Sequence, residues 1–548
     1  MARVSRILLT ALLACAAAGA HAAERAWITV LSTTDLHGNL LPIDYYTGMP
    51  DARGLAAVAT LVRQARDENP AGTLLIDSGD VIQGSPLNYV HNTVDNTPPD
   101  PMMRAMSALG VDAMAVGNHE YNHGRTILEK ARHEASFPWL SANTYKAGTN
   151  EPAYAPYIVK VLNGVRIGVL GLTTPGIPSF ENPENYQGLE FRPAVPEARK
   201  WVAILRGREQ ADLVIVAMHM GLEEDLRTGI PTPGQVPNEN AALAIARQVP
   251  GIDLILMGHT HREVSSLVVG GALLMQANLW GRHLGRADLS LEKDAAGRWR
   301  VVSKQARTIP VSLRTPVDPQ IAAIAEPYDR ETRAWLDRVI GESDAELSAA
   351  DARVRDNALL DLVQRVQLDE GHADVSMVAS FNRQARVPKG PVTVRQIAAL
   401  YVYDNTLVVL QVTGAQLKAA LEHSARFFRD YVPGRSPADL VDERIPDYNF
   451  DVAEGVTYDL DISRPAGDRI RNLRFHGAPL APMQTLRLAT NNYRVNGGGG
   501  YTMYKDAAVV YRSSDEIGEL IITWVERHHQ IPTEPTNNWR IVAPASQN

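Results

Sequence analysis

The sequence has almost no cysteine, since Cys15 is the only one among 548 residues. It lies in an apolar stretch near the start of the chain that has the features of a secretory leader. Once that leader is cleaved, no cysteine remains, which excludes a disulfide framework and thiolate chemistry. With 45% hydrophobic residues, the remaining chain is large enough for at least two domains, each with its own core.

The sequence also lacks an apolar run long enough to span a membrane. Residues 7–18 are apolar but too short for a transmembrane helix. Arg3 and Arg6 precede them and Ala20-His21-Ala22 follows, which is the pattern of a signal peptide over residues 1–22 with an A-x-A cleavage site. We therefore expect a periplasmic or secreted protein that is soluble after cleavage.

A lipoprotein signal is the alternative interpretation of this leader. In that case Cys15 would be acylated and would anchor the protein to a membrane. The leucine before Ala14 is larger than the residue that such a signal usually carries. The A-x-A site therefore explains the leader better.

Positive charge is scarce. Two of the 54 lysines and arginines lie in the leader. After cleavage the chain therefore has 52 basic and 62 acidic residues, which gives a net charge of −10. This balance argues against binding to duplex nucleic acid, which favours basic patches. It does not exclude a small nucleotide, because bound metals can supply local positive charge.

Five short apolar runs in the first half of the chain each lead into residues that can bind a metal. Such runs, flanked by turn residues, predict strands that are buried on both faces of an α/β sheet. Ligand sites in these sheets lie at the carboxyl ends of the strands. We therefore expect the side chains to meet at one edge of one sheet. The runs and the residues that follow them are 27–31 with Asp35 and His37, 73–76 with Asp80, 111–116 with Asn118 and His119, 213–217 with His219, and 252–257 with His259 and His261.

The residue types fit a two-metal hydrolytic site. Two divalent cations about 3.5–4 Å apart can activate a water and hold the phosphoryl oxygens of an in-line displacement. Such a pair needs an anionic bridge, and Asp80 can supply it. Asp35 and His37, like His259 and His261, are two residues apart, so in an extended segment each pair points to one face. Mixed His, Asp and Asn ligands suit Zn, Mn, Fe or Co better than Mg or Ca.

Each of these residues alone has an ordinary structural explanation. Asp35 or Asp80 could cap the helix that follows it, and a single histidine is commonly a hydrogen-bonded core residue. The ordered set of motifs D-x-H, G-D, G-N-H-E, H and G-H-x-H is much harder to attribute to chance. The set as a whole, and no single member, predicts the metal centre.

With these motifs the chain resembles the calcineurin-like metallophosphoesterases, and more narrowly the periplasmic 5′-nucleotidase family. The resemblance continues through residues 281–286, 403–407 and 490–494 and so covers nearly the whole chain after the leader. It implies an α/β fold, with an N-terminal metallophosphoesterase β-sandwich flanked by helices and a second α/β 5′-nucleotidase C-terminal domain. It also implies two divalent ions and these ligands: Asp35, His37, Asp80, Asn118, His219, His259 and His261.

Within that family, four segments resemble the 2′,3′-cyclic-nucleotide 2′-phosphodiesterase/3′-nucleotidase branch; they are residues 33–39, 44–46, 83–87 and 449–452. In many 5′-nucleotidases an Asp two residues after the G-N-H-E motif orients the catalytic histidine. This chain has Asn122 there, and an Asn can orient the ring of His119 but has no charge to stabilise its cation. We take Asn122 as support for the branch and predict His119 and Asn122 as catalytic residues.

We predict a catalytic domain over residues 25–310, a linker over 311–344 and a nucleotide-binding domain over 345–543. The linker should contain a helix over 318–341, which either packs on one neighbour or acts as a hinge that gates the site. The apolar residues at helical spacing are Ile321, Ile324, Trp335, Leu336 and Val339.

The second domain is expected to bind the base. The run of four glycines at residues 497–500 is not a P-loop, because no Gly-Lys-Ser/Thr follows it. By resemblance, Tyr493 before this turn forms one face of an aromatic sandwich, since bases stack well on aromatic rings. Tyr448 is our choice for the other face, with Phe450 as the alternative. Core packing on a strand explains Tyr448 or Phe450 equally well.

Polar substrate contacts are less distinct. Some family members carry an Asp in the glycine turn that holds the ribose, and the matching residue here is Gly499. Asn382 and Arg386, with Arg355 nearby, lie where the family presents polar groups to the substrate. A surface salt bridge is the alternative role for either arginine.

The predicted function is two-metal hydrolysis of nucleotide phosphoesters. A 2′,3′-cyclic nucleotide would be opened to a 3′-nucleotide and then cut to nucleoside and phosphate, with His119 stabilising the transition state or protonating the departing oxygen. The alternatives are a 5′-nucleotidase or UDP-sugar hydrolase, a sulfate-ester-type hydrolase, and a non-catalytic periplasmic nucleotide-binding protein. The intact set of candidate ligands argues against the last.

Overall fold

The computed structural model describes residues 24–224, 238–403, 405–495 and 497–542. The predicted signal peptide at 1–22, including Cys15, lies outside these residues. Across the described ranges, no helix combines the length and the apolar character needed to cross a membrane.

The first part of the chain folds into two sheets with helices around them. The strands are β1 Arg25–Thr33, β2 Thr73–Asp77, β3 Ala113–Ala115, β4 Trp139–Leu140, β5 Thr144–Lys146, β6 Tyr157–Leu162, β7 Val165–Thr173, β8 Leu189–Phe191, β9 Leu213–His219, β10 Leu254–Met257, β11 Glu263–Val269, β12 Ala272–Ala277, β13 His283–Lys293 and β14 Trp299–Pro310. The helices are α1 Leu55–Glu68, α2 Pro86–Tyr89, α3 Pro101–Leu109, α4 Gly124–Glu134, α5 Ile177–Phe180, α6 Ala194–Gly207 and α7 Ala242–Gln248.

The first sheet has the order β14-β13-β1-β2-β3-β4, and the second has the order β11-β12-β10-β9-β7-β6. Strands β1, β2 and β3 are parallel neighbours, and so are β9 and β10. The side chains of Ile28 and Ile76 on one sheet share a buried cluster with those of Ile215 and Leu256 on the other. The sheets therefore pack face to face as the predicted β-sandwich.

The outer faces of the sandwich are covered by helices. Leu31 and Leu75 alternate with the residues that face the opposite sheet, and they belong to the core cluster that includes residues of α1 and α3. On the second sheet, Val214 and Val216 belong to a buried cluster that includes residues of α6 and α7. The predicted fold class, with helices flanking a β-sandwich, is confirmed.

Two details of the strand predictions are wrong. The five runs do not belong to one sheet, because β1, β2 and β3 lie in the first sheet while β9 and β10 lie in the second. The ligand-bearing loops therefore meet where corresponding edges of two packed sheets adjoin. The run at 27–31 is also not buried throughout, since the Trp27 side chain is 57% exposed.

Helix α8, Pro319–Leu336, connects the two parts of the chain. The Asp318 side chain caps it by accepting bonds from the backbone N–H groups of Gln320 and Ile321, both at 3.0 Å. Contacts with α1 and α3 bury one face of α8, including Ile321 and Leu336. The hinge interpretation is not required by this packing.

The prediction that this helix extends to residue 341 is wrong. The helix stops at Leu336, and Val339 is an exposed residue of strand β15, Val339–Ser343. β15 pairs with a later strand, β19 (Gly390–Thr393). The β-branched Val339 and Ile340 favour that pairing over a further helical turn.

The second part of the chain is a further α/β unit. Its remaining strands are β16 Leu347–Ser348, β17 Val375–Ala379, β18 Arg386–Val387, β20 Thr406–Thr413, β21 Asp451–Glu454, β22 Val456–Asp461, β23 Ile470–Phe475, β24 Ala478–Pro479, β25 Thr485–Asn491, β26 Ala508–Glu516 and β27 Trp539–Val542. The helices are α9 Ala358–Gly371, α10 Val394–Ala398, α11 Gly414–Ser424, α12 Asn492–Val495 and α13 Ile517–His528. The main sheet has the order β21-β17-β25-β20-β26, and a second sheet has the order β24-β23-β22-β27.

Candidate active site

The carboxyl end of β9 and the loops after β1, β2, β3 and β10 bring the predicted metal ligands together. Among the described residues, six of these side chains form two groups, and within each group the ligand atoms lie within 4.8 Å of one another. The first group is Asp35, His37 and His261, and the second is Asp80, His219 and His259. The remaining candidate, Asn118, is buried in the loop that follows β3.

The backbone of these loops differs from the expected extended geometry. Asp35 and His37 have φ angles of 49° and 46°, and His259 and His261 have φ angles of 72° and 53°. These are left-handed values that non-glycine residues rarely adopt. Tight turns rather than extended segments therefore present both pairs. Asp35 and His37 converge on one group, whereas His259 and His261 belong to different groups. Such strained backbone is typical of functional sites.

Asp80 lies between the two groups. Its Oδ2 atom is 2.9 Å from Nε2 of His219 and 3.9 Å from Nε2 of His37. Its Oδ1 atom accepts a hydrogen bond of 2.9 Å from the backbone N–H of His119. One carboxylate thus faces a member of each group, as a bridging ligand must.

The Glu120 carboxylate organises the loops around Asp80, a role that the sequence did not reveal. It accepts hydrogen bonds from the backbone N–H groups of Asp80 at 3.0 Å, Val81 at 2.6 Å and Gly117 at 2.7 Å. A Cβ atom on Gly117 would lie 2.2 Å from Oδ1 of Asp80, so only glycine fits beside this carboxylate. The G-N-H-E motif therefore has structural members as well as candidate ligands.

The histidine tautomers and the buried acceptor atoms fit a pair of cations. Nδ1 of His219 donates to the Ser78 carbonyl at 2.8 Å, and Nδ1 of His37 lies 3.1 Å from the Gln83 carbonyl oxygen, so Nε2 of each ring is left to bind a metal. The buried Oδ1 of Asn118 has no hydrogen-bond partner within the described part of the chain. Histidine, carboxylate and amide donors together suit borderline divalent ions.

The electrostatics of the contact between Asp80 and His219 favour a positive charge beside Asp80. Burial works to lower the pKa of His219, but the carboxylates of Asp80 and Asp35 raise it to about 10. Burial also works to raise the pKa of Asp80, but the charges of His219 and His119 hold it well below its usual range. Anionic Asp80 therefore faces a cation, which is the role that a metal ion would take over.

His119 lies beside the two groups but belongs to neither. Its ring centroid is 5.2 Å from that of His37, and its Nδ1 is 2.6 Å from Oδ1 of Asn122. The structure therefore brings together the two residues that we predicted to be catalytic. It leaves Nε2 of His119 as the ring nitrogen not engaged by Asn122.

Glu239 is a second acidic residue that the sequence did not identify. Its Oε1 lies 2.8 Å from Nε2 of His259, so the carboxylate orients this ring and leaves Nδ1 to face the metal site. Glu239 is 20 residues from His259 along the chain, and no sequence motif connects the two. The contact depends on the fold.

The second part of the chain presents aromatic rings to solvent. Tyr448 and Tyr493, both predicted to contact the base, are 36% and 37% exposed. Phe450, the alternative, is only 3% exposed and stacks on Phe427 in the core at 4.9 Å. Tyr403, which lies in a segment that carried the family resemblance, is 44% exposed, and its ring lies 6.3 Å from that of Tyr448. Tyr403 is therefore a further candidate for the sandwich.

These tyrosines are close to the metal-binding half of the protein. Burial and the charges of Tyr448 and Glu239 raise the pKa of Tyr493 to about 12, against the opposing effect of Arg494. Burial raises the pKa of Tyr448, and the charge of Arg262 opposes that rise. Glu239 contacts His259, and Arg262 follows His261 in the chain, so the two tyrosines lie near charged residues of the metal-binding loops.

The glycine turn has no room for an acidic side chain. Gly499 has a φ of 68°, and a Cβ atom there would lie 2.2 Å from Oδ1 of Asn449. The Asn449 side chain therefore takes the space beside Gly499 and is held by Arg494, whose Nη1 donates to its Oδ1 at 3.2 Å. Buried Arg494 also pairs with Asp451 at 2.8 Å, which fixes the segment that carries Tyr448.

The remaining predicted contacts differ in their surroundings. Asn382 lines a cavity together with Arg353, a buried arginine that the sequence did not indicate. Arg386 is exposed and donates to the backbone carbonyl of Ala385 at 3.1 Å, outside that cavity. Arg355 is exposed and pairs with an aspartate four residues earlier. Of these residues, Asn382 and Arg353 have the better position for a ligand.

Comparison with known proteins identifies both halves of the chain. Residues 28–263 match the calcineurin-like phosphoesterase family, and residues 339–506 match the 5′-nucleotidase C-terminal domain. The chain is 31% identical to the 2′,3′-cyclic-nucleotide 2′-phosphodiesterase/3′-nucleotidase of Yersinia enterocolitica, and the match covers 98% of this chain and 92% of that protein.

Two further matches agree with this result. The trifunctional nucleotide phosphoesterase protein YfkN of Bacillus subtilis is 29% identical over 96% of this chain, which spans only 39% of that longer protein. The chain is also similar to a solved structure from Staphylococcus aureus that is described as a 5′-nucleotidase. The TM-score is 0.80 and the sequence identity is 27%, and the match covers 94% of this chain and 100% of the Staphylococcus aureus chain.

Proposed function

The chain belongs to the 5′-nucleotidase family of calcineurin-like metallophosphoesterases, and we propose that it hydrolyses 2′,3′-cyclic nucleotides to 3′-nucleotides and then to nucleoside and phosphate. The family implies divalent metal ions. The proposal for the substrate follows a relative of that activity, whose match spans nearly all of both proteins. The alternative of a non-catalytic binding protein is disfavoured, because the relatives are named as hydrolytic enzymes.

The observation that supports the mechanism best is the position of Asp80 between the two ligand groups. We assign one ion to Asp35, His37, Asp80 and His261, and the other to Asp80, Asn118, His219 and His259. When bound, two such cations lower the pKa of a water nucleophile and neutralise the phosphoryl oxygens. The candidate ions are Zn, Mn, Co and Fe, which suit mixed histidine, carboxylate and amide ligands.

His119 is the residue that we assign to proton transfer. It is next to the metal groups without being part of them, and Asn122 holds its Nδ1. A proton on Nε2 would stabilise the developing charge or pass to the departing ribose oxygen. Asn122 positions the ring for both steps of the reaction.

The base is placed against the tyrosines of the second domain. Tyr493 forms one face of the sandwich, and Tyr448 or its neighbour Tyr403 forms the other. Asn382 is assigned to a polar contact with the substrate, since it lines a cavity, while Arg386 is retained only as a more distant candidate. Variants of each tyrosine decide between the two possible partners.

We also propose the predicted domain limits and location. Strands β1 to β14 lie within residues 25–310, and β16 to β27 lie within 345–543. Strand β15 lies inside the predicted linker, 311–344, but pairs with the second domain. A signal peptide at 1–22 would export the protein to the periplasm or the medium. The alternative is a lipid anchor at Cys15, and N-terminal sequencing of the mature protein distinguishes the two.

Phosphate release from 2′,3′-cyclic AMP, 3′-AMP and 5′-AMP, measured with and without a chelator, tests this proposal. We expect turnover of the first two substrates, loss of activity on chelation and recovery when a divalent metal is returned. Preferential release from 5′-AMP would instead assign the protein to 5′-nucleotidase chemistry. Activity that survives chelation would contradict the two-metal mechanism.

A further inference from the structure

Glu181 lies directly behind the Asn122–His119 pair. Nδ2 of Asn122 donates a hydrogen bond of 2.9 Å to Oε2 of Glu181, while Oδ1 of the same amide is 2.6 Å from Nδ1 of His119. The three side chains therefore form a continuous chain of hydrogen bonds that ends at a carboxylate. Glu181 is 59 residues from Asn122 in the sequence.

Among the described residues, each hydrogen-bond partner of the Glu181 carboxylate is a donor. Besides Asn122, it accepts hydrogen bonds from Nδ2 of Asn185 at 2.9 Å and from the backbone N–H of Asn182 at 2.7 Å. An ionised carboxylate has no proton to donate, so this arrangement suits the charged form. Burial raises the pKa of Glu181, while these hydrogen bonds and the charge of His119 oppose that rise.

The carboxylate determines which way the Asn122 amide points. A carboxylate that only accepts must face the NH₂ group of Asn122, which turns the amide oxygen towards His119. That oxygen is also only an acceptor, so Nδ1 of His119 must carry a hydrogen. Nε2 is then the nitrogen that can exchange a proton with a substrate. If the amide rotated by half a turn, its NH₂ group would face Nδ1 and favour the opposite tautomer.

We propose that Glu181 is a positioning residue that acts through Asn122 to fix the tautomer and the ring orientation of His119. In many family members a carboxylate contacts the catalytic histidine directly. Here Asn122 lies between the carboxylate of Glu181 and the ring of His119. The proposal rests on the proposed function for the role of His119, but the tautomer that it requires is a property of the folded protein alone.

The first test reads the tautomer without any substrate. Nitrogen-15 spectra of the histidine side chains, with the His119 signals identified through His119→Ala, should show a hydrogen on Nδ1 in the wild type. Glu181→Gln has one accepting oxygen and one NH₂ group. With the oxygen accepting from Asn182 and Asn185, the NH₂ group faces Asn122 and favours the opposite amide orientation, so this variant should lose the signature. Glu181→Ala should lose it or show a mixture. An Nδ1–H signal that is the same in Glu181→Ala and in the wild type overturns the proposal.

The second test compares leaving groups. A ribose oxygen needs a proton as it departs, whereas p-nitrophenolate does not. Glu181→Ala should therefore lower kcat on 3′-AMP by about 10- to 100-fold, the usual range for a supporting residue, and leave KM, metal content and kcat on p-nitrophenyl phosphate nearly unchanged. Glu184→Ala is the matched control, because Glu184 is exposed in the same segment.

The third test moves the charge. Asn122→Asp combined with Glu181→Asn puts the carboxylate directly on His119 and should restore most of the kcat on 3′-AMP that Glu181→Ala loses. Equal losses on both esters, or no loss on 3′-AMP, would overturn the positioning role. A wild-type protein without nucleotide turnover would refute the proposed function instead, and the nitrogen-15 spectra would still decide the role of Glu181.

Discussion

The backbone N–H of His119 donates a hydrogen bond of 2.9 Å to Oδ1 of Asp80. This bond joins the loop after β3 to the loop after β2, so the proposed acid and the proposed bridging ligand hold a fixed relation to each other. The bond involves only the backbone of His119, so the ring can contact Asn122 through Nδ1 and the substrate through Nε2. Removal of either side chain should therefore damage the reaction in a different way.

Asp80→Ala should abolish turnover, because it removes the carboxylate that faces both ligand groups. The fold should persist, since Glu120 still connects the surrounding loops through their backbone N–H groups. Metal analysis, phosphate release and thermal melting check this expectation, with Asp67→Ala on the exposed face of α1 as the control. Near-normal activity in Asp80→Ala after chelation and desalting would refute the two-metal assignment.

His119→Ala should reduce kcat by roughly 10²- to 10⁴-fold, the usual contribution of a positioned acid–base group. Its metal content should equal that of the wild type, because His119 belongs to neither ligand group. Steady-state kinetics and metal analysis on the same preparation separate the two effects, and His133→Ala on α4 is an exposed histidine control. If the variant loses metal, His119 is a ligand and its proposed role is wrong.

Tyr493→Ala should raise KM for nucleotides by about 5- to 150-fold, because stacking is worth roughly 1–3 kcal/mol per base. Hydrolysis of a methyl-type phosphate ester, which has no ring to stack, should stay almost unchanged. Tyr448→Ala and Tyr403→Ala identify the second face of the sandwich by the same measurement, and exposed Tyr511→Ala is the control. Equal losses on both substrates would mean that Tyr493 supports the fold and does not stack on the base.

Asp361 gives a prediction about stability that is independent of the active site. Burial and the charges of Asp356 and Glu454 raise the pKa of Asp361 to about 7, although the backbone N–H of Thr536 donates to its carboxylate. Because this folded-state pKa exceeds the unfolded value, the stabilisation due to the protonated group is fully present below the unfolded pKa of about 4 and is lost as the pH rises from there through the folded pKa.

Asp361→Asn should therefore raise the melting temperature at pH 8 relative to the wild type, with a smaller gain at pH 5, where the folded carboxyl is still protonated and the unfolded one has begun to ionise. Each kcal/mol gained corresponds to roughly 2–4 °C for a domain of this size. The Asn oxygen can still accept the bond from Thr536, so the geometry is kept. Melting curves from pH 5 to 9 check the trend, and a difference that does not vary with pH would show that Asp361 is not protonated in the folded protein.

The strands and the residues of the two candidate metal-binding groups could be predicted because both follow from local patterns. Apolar runs of four to six residues indicated strands, and the residues after these runs fell at the carboxyl ends of the strands, as for His219, the last residue of β9. The division of these strands between two sheets could not be predicted, because an apolar run does not show which strand it pairs with. The left-handed backbone at Asp35 and His259 was not predicted either. A positive φ is usually indicated by a glycine, and neither residue is one.

The residues that support the site could not be predicted from the sequence. Glu181 and Glu239 act on His119 and His259 from distant segments, and neither lies in a recognisable motif. Tyr448 and Phe450 are two residues apart and looked equivalent, yet one is exposed and the other is in the core. The packing of Phe450 against Phe427, Phe428 and Trp539 in the core distinguishes it from Tyr448.

The order of products from a 2′,3′-cyclic nucleotide tests the central claim most directly. With metal-loaded protein and 2′,3′-cyclic AMP, phosphorus-31 spectra over time should show 3′-AMP rising and then falling as inorganic phosphate accumulates. A chelator should stop both phases, and added divalent metal should restart them. Accumulation of 2′-AMP, or an unchanged cyclic substrate in protein with both metal sites filled, would contradict the account.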